Sequence, residues 1–141
     1  MERLPLSRAP RGVGFGIAEE FVANGATVVL TDIEPAELDD AVAKLGRAAS
    51  GFQADVTNIA DMEDMYAEVV SRHGRLDAVV ANAGVGDSAP LGTITERQFD
   101  FIFGVNVKGV LFTVQAALPH LGSGGTVVIM ARQPRSRRST A

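Results

Sequence analysis

Residues 12–32 read GVGFGIAEEFVANGATVVLTD. A glycine-rich turn, Gly12-Val13-Gly14-Phe15-Gly16, leads into a helical segment through Phe21 and Val22. A short apolar run, Ala26-Thr27-Val28-Val29-Leu30-Thr31, follows, with a carboxylate at its exit, Asp32. Glycines at a helix entrance let the backbone approach an anion, whose charge is met by free N–H groups and the helix dipole. A mostly apolar, β-branched run is the kind buried in a parallel sheet. The turn falls short of G-x-G-x-x-G, because Ile17 stands where the last glycine belongs, so alone it fits an ordinary glycine-rich turn as well as a phosphate site. Asp32 lies twenty residues after Gly12, where an acidic side chain accepts hydrogen bonds from the ribose hydroxyls of an adenosine. Its other reading is a cap for the following helix.

The pattern continues outward. Asp77-Ala78-Val79-Val80-Ala81 and Gly125-Thr126-Val127-Val128-Ile129-Met130 are apolar runs of the same kind, and Gly51-Phe52-Gln53-Ala54 is a weaker one. Between them lie helices with readable ends. Pro35 suits a first helical position, Leu38, Ala41, Val42 and Leu45 share a face, and Gly46 is placed to stop the helix. The next begins near Asn58, puts Ile59, Met62, Tyr66, Val69 and Val70 on one face, and meets Gly74. A third starts at Thr95 and runs to about His120. Such alternation predicts an α/β chain: a Rossmann-like, doubly wound parallel sheet in three α/β/α layers over residues 1–131, with 132–141 as a disordered basic tail. The weak place is the beginning. Pro5 brings no N–H to a ladder, and Leu4 and Leu6 are a poor substitute for a Val/Ile run. The expectation is a poor first strand, or an unstable product if none forms.

Composition narrows the function classes. A chain of 141 residues is one domain's worth, and at 46% hydrophobic and 21% charged it is not disordered throughout. With no cysteine and only His73 and His120, disulfide frameworks and zinc clusters are excluded and no metal site is expected. The first residues hold no apolar run suited to a signal peptide. The stretch Phe101 to Leu121 contains Asn106, Lys108 and Gly109, which favours a buried or interface helix over a membrane span. The expected setting is cytoplasmic. Nine Lys/Arg against 17 Asp/Glu leave residues 1–131 at −8, and four arginines put +4 into the last ten. Without interleaved aromatics on an acidic body, that tail is read as a solvated terminus and no nucleic-acid partner is expected.

Further polar residues stand at the strand exits. Asp55 follows the third run and Asn82-Ala83-Gly84 the fourth. In an open parallel sheet, ligands sit beyond the carboxyl ends of the strands. Asp55 could instead cap the Asn58 helix, and Asn82-Ala83-Gly84 could be a turn chosen for its backbone geometry.

Together, Gly12-x-Gly14, Asp32, Asp55-Val56, Asn82-Ala83-Gly84 and Val105-Asn106-Val107-Lys108-Gly109 resemble the short-chain dehydrogenase/reductase family over about residues 11–131. The resemblance implies an oxidoreductase that moves a hydride between an alcohol or carbonyl and a nicotinamide dinucleotide. It implies cofactor contacts at Gly12, Val13, Gly14, Asp32, Ile33, Asp55, Val56, Asn82, Ala83 and Gly84, with Asp55-Val56 at the adenine and Asn82-Ala83-Gly84 at the nicotinamide ribose. It further implies that Asn106 holds a water in a proton relay; the other reading of Asn106 is a helix-interior amide satisfying a backbone group. NAD is favoured over NADP, because the Asp32 charge repels a 2′-phosphate. Arg11 is a basic residue of the kind NADP-preferring members carry, but Asp32 weighs more heavily, because a carboxylate at the ribose opposes the extra phosphate directly.

Three departures qualify the resemblance. Ser7-Arg8 stands where the family opens its loop with Thr-Gly, and Arg132 occupies the catalytic serine position. The family's Tyr-x-x-x-Lys is absent from these residues, whose single tyrosine is Tyr66. Reducing a carbonyl requires a proton for the developing alkoxide, a task of that tyrosine in the family. The expectation is a truncated or frameshifted gene product without turnover of its own. The alternative is a non-catalytic module that pairs, as a homo- or hetero-oligomer, through the helix around Asn106, with Phe101, Phe103, Val110 and Phe112 as apolar surface.

Overall fold

A computed structural model describes residues 3–7 and 12–131. Strands and helices alternate along the chain as β1 (Arg3–Ser7), α1 (Gly12–Ala23), β2 (Thr27–Asp32), α2 (Pro35–Leu45), β3 (Ala49–Gln53), α3 (Ile59–His73) and β4 (Leu76–Ala81). There follow α4 (Glu96–Phe103), a π-helical stretch (Gly104–Gly109), α5 (Val110–Ala117) and β5 (Leu121–Ile129). The helix ends follow the local chemistry. Pro35 opens α2 and Gly46 closes it, Asn58 caps α3 by accepting from the Ala60 N–H at 3.1 Å, and Thr95 caps α4 in a reciprocal capping box with Gln98.

The sheet is parallel, in the order β3-β2-β1-β4-β5. Of the two expectations for the beginning, a poor first strand or none, the second is corrected here: the strand forms. β1 occupies the middle of the sheet, in register with β2 from Arg3↔Thr27 to Ser7↔Thr31 and meeting β4 at Leu6↔Val80. Proline keeps its carbonyl while lacking the N–H, so Pro5 removes a single donor from the ladder rather than the strand.

Strand residues alternate between two cores. Val28, Leu30, Ala78 and Val80 pack with Ala18, Leu38 and Ala41 from α1 and α2. Val29, Leu76 and Val79 pack with Met62, Met65, Tyr66 and Val69 from α3 and with Ala117 from α5. Burial on both faces is why β2 and β4 read as continuous apolar runs rather than as alternating ones. The helical run Glu96–His120 is long and apolar enough to cross a bilayer by length and composition; here α5 packs on β4 and α3.

Tyr66 lies at the centre of the second core, fully buried, and its hydroxyl has no hydrogen-bond partner among the described residues. Burial raises its pKa well above the usual phenol value. The folded state therefore favours the neutral phenol. Stability from this group is intact below about pH 10, where the unfolded phenol titrates, and is lost as pH rises beyond it. Tyr66→Phe removes both the orphaned hydroxyl and this loss. The variant is expected to match or exceed the parent by about 1 kcal/mol at neutral pH and to unfold less readily in alkali. Thermal unfolding at pH 7 and pH 11 checks both.

Candidate functional site

The strand order reverses between β1 and β4. The chain winds outward from β1 through β2 to β3, then returns to the other side of β1. A crevice opens at such a reversal, beyond the carboxyl ends of the strands. The singled-out residues stand along that edge: the start of α1 past β1, Asp32 at the end of β2, Asp55 past β3 and Asn82-Ala83-Gly84 past β4.

At α1, Gly12 has φ +60, a backbone that L side chains rarely adopt, and Gly14 is buried two residues into the helix. Val13 is exposed beside them. Arg8, Arg11 and Arg132, with the basic tail, lie outside the described residues.

Asp32 is 7% exposed and its Oδ1 accepts from the Glu34 N–H at 3.1 Å. The residue capping α2 is Glu34, so Asp32 braces the approach to that helix rather than capping it. Its Oδ2 takes no bond from the described residues. Ile33, half exposed, leads away from it. The Gln53 side chain reaches back to this turn, donating from Nε2 to the Ile33 carbonyl at 3.1 Å.

Asp55 folds its own turn: its Oδ1 accepts from both the N–H and the hydroxyl of Thr57, each at 2.8 Å. Its N–H donates to Asp61 Oδ2 at 3.0 Å. The cap of α3 is Asn58, not Asp55. Val56 faces the core, against Gly109 of the π-helical stretch, so the pair implied for an adenine contact splits into one polar and one packing residue. Between Ile33, Phe52, Gln53, Asp55, Asp61 and Asp64 runs an open cleft of ≈ 530 Å³. It is walled by carboxylates and one aromatic ring.

Past β4, Ala83 is buried and Gly84 keeps an ordinary negative-φ backbone, so the motif is not a left-handed turn. Asn106 crosses to the next residue. Its Oδ1 accepts from the Val85 N–H and its Nδ2 donates to the Val85 carbonyl, both at 2.8 Å. Both ends of the amide are thus engaged with backbone, as in the second reading of this residue. The π-helical stretch carries Asn106 at that point, and such irregular turns concentrate at functional sites. Sequence reasoning missed Val85 and Gln53. The signal for Gln53 was its place two residues before Asp55 at the end of a strand that pairs with β2.

Comparisons with known proteins agree with this fold. A family model described as enoyl-(acyl carrier protein) reductase matches residues 8–139. The oxidoreductase asL5 of Sarocladium schorii is 42% identical over 120 residues, 84% of this chain and 48% of that protein. The crystal structure of the short-chain dehydrogenase/reductase SDR:glucose/ribitol dehydrogenase from Brucella melitensis aligns with a TM-score of 0.89 at 32% identity, covering 92% of this chain and 56% of that one. A 3-ketoacyl-(acyl-carrier-protein) reductase from the same organism, complexed with NADH, aligns with a TM-score of 0.81 at 32% identity, over 84% and 50% of the two chains. The chain spans about half the length of the curated relatives it matches.

Proposed function

The chain belongs to the short-chain dehydrogenase/reductase family, and on that premise we propose that these residues form the dinucleotide-binding half of an NAD-dependent oxidoreductase acting between an alcohol and a carbonyl. The observation that carries this reading is Asp32: a nearly buried carboxylate at the end of β2, with one oxygen held by Glu34 and the other without a bond from the described residues. A ribose diol suits that acceptor, and a 2′-phosphate beside it does not. The glucose/ribitol dehydrogenase and the ketoacyl reductase among the similar structures are named for this class of reaction, and the latter holds NADH.

The residues fit a bound dinucleotide in the order of the strands. The amino end of α1, with Gly12 to Gly14, would face the pyrophosphate; Asp32 and Ile33 would take the adenosine ribose; Asp55 Oδ2 and the cleft beside it would take the adenine; Asn82 to Gly84 would line the nicotinamide half. When bound, the nicotinamide accepts or donates the hydride. Asn106 holds the wall of that half in place through Val85.

Proton delivery is a separate matter. Tyr66 is fully buried in the core of α3 with its pKa raised, so it does not serve a substrate at the crevice. These 141 residues by themselves are therefore expected to bind dinucleotide without turning substrate over. Calorimetric titration with NADH, with NADPH alongside, tests the reading: NADH binding tighter than NADPH supports it, and no heat at millimolar NADH removes it.

A second reading is favoured by one observation. Phe99, Phe103, Val107 and Leu111 stand exposed at four-residue steps along the Glu96–His120 run, with Phe99 and Phe103 stacked at 4.1 Å between centroids. Of the surface expected from sequence, Phe101 and Phe103 are exposed, whereas Val110 and Phe112 turn partly inward. An apolar ridge of this kind suits pairing with a second copy or an intact relative. Sedimentation of the titration sample tests it, a monodisperse monomer counting against it.

A further inference from the structure

The ends of β2 and β3 are tied together twice. The Ala54 N–H donates to the Asp32 carbonyl at 3.1 Å, and the Gln53 amide donates to the Ile33 carbonyl at 3.1 Å. The first bond continues the parallel ladder. The second depends on the side chain at position 53, which is the register partner of Asp32. Gln53 and Ile33 both line the cleft of ≈ 530 Å³. The turn 32–34 is thus gripped at two points, by Asp32 Oδ1 on the Glu34 N–H and by Gln53 on the Ile33 carbonyl. Ile33 and Glu34 are otherwise exposed.

We propose that Gln53 is a positioning residue for adenosine recognition: by holding the Ile33 carbonyl it fixes the direction of the Asp32 carboxylate and the Ile33 side chain, and so sets the preference for a free 2′-hydroxyl over a 2′-phosphate. This inference rests on the reading of the cleft as the adenosine end of a dinucleotide site. Its physical basis is preorganisation. A turn already held in its bound shape loses less freedom when the ligand arrives, and a carboxylate aimed at the ribose loses its advantage when the turn swings. The contribution is that of a single hydrogen bond, and it reaches the ligand through Asp32 rather than by contact.

The test is a double-mutant cycle read by calorimetry with NADH and NADPH, using the parent chain, Gln53→Leu, Asp32→Asn and the double variant. Gln53→Leu is expected to raise the NADH Kd about 3- to 10-fold and the NADPH Kd less than about 2-fold. In the Asp32→Asn background, Gln53→Leu is expected to cost nothing further, since the residue acts through Asp32. Gln53→Met keeps much of the length of the side chain while losing the donor, adds no charge to the cleft, and should behave like Gln53→Leu. A merely structural role would weaken both nucleotides alike and add to the Asp32→Asn loss, and that result overturns the inference. Unchanged NADH affinity in Gln53→Leu, with a parent that binds, overturns it alone. A parent that binds neither nucleotide overturns the dinucleotide reading and this inference with it.

Discussion

Asp32→Asn is expected to weaken NADH binding about 10- to 100-fold while improving NADPH binding. Two effects act together. A carboxylate accepting ribose hydroxyls makes charge-assisted hydrogen bonds worth about 1.5–3 kcal/mol, and an amide keeps only part of that. Against a 2′-phosphate, a unit charge at 4 Å costs about 4 kcal/mol at an effective dielectric of 20, reduced by solvent at an open cleft. Asparagine removes this repulsion. It also retains an Oδ1 to accept from the Glu34 N–H, so the turn survives and the loss is read at the ligand. Alanine would remove that brace as well and mix the two effects. Calorimetry with both nucleotides measures the change, and equal NADH affinity in parent and variant would remove Asp32 from the site.

The second large effect belongs to packing. At Gly109, a Cβ would stand 2.8 Å from Val56 Cγ2 and 3.3 Å from the Gly104 carbonyl oxygen. Val56 is buried and β-branched, so its methyl has little room to rotate away. Gly109→Ala is expected to destabilise the fold by about 1–3 kcal/mol and lower Tm by roughly 5–10 °C. Val56→Ala alone leaves a cavity and also destabilises. Combined, the two substitutions should partly rescue each other, because the new methyl fills the space the valine vacates. Strictly additive losses in thermal melts would show that the two residues do not share that space. Val56 adjoins Asp55, so this contact also seats the turn that Asp55 forms beside the cleft.

Much of this architecture was readable from local signals. Pro35, Gly46, Asn58, Gly74 and Thr95 mark helix ends because capping is a property of a few adjacent residues. The runs at Val28 and Val79 mark strands because two-sided burial demands unbroken apolar residues. What escaped depends on residues distant in the chain. Pro5 argues against a strand locally, yet two neighbouring strands hold β1 in place. The π-helical turn at Asn106 accompanies a side-chain bond to Val85, 21 residues away. β5 starts at Leu121, ahead of the run beginning at Gly125, with irregular pairing to β4 between Leu76↔Leu121 and Ala78↔Thr126. At the site, Asp32 and the strand-exit motifs were visible as residue types at fixed spacing. The tie from Gln53 to Ile33 was not, since it follows from which strand lies beside which.

β5 has a bearing on how the chain behaves in the test tube. It is one of the two edge strands among the described residues, with β3 at the other side, and eight of its nine positions are exposed, Val127, Val128 and Ile129 among them. An uncovered parallel edge offers unpaired backbone groups in a row, and apolar side chains there add adhesion without the charges that discourage stacking. These 141 residues by themselves are therefore expected to associate more as their concentration rises, and light scattering over a dilution series measures it.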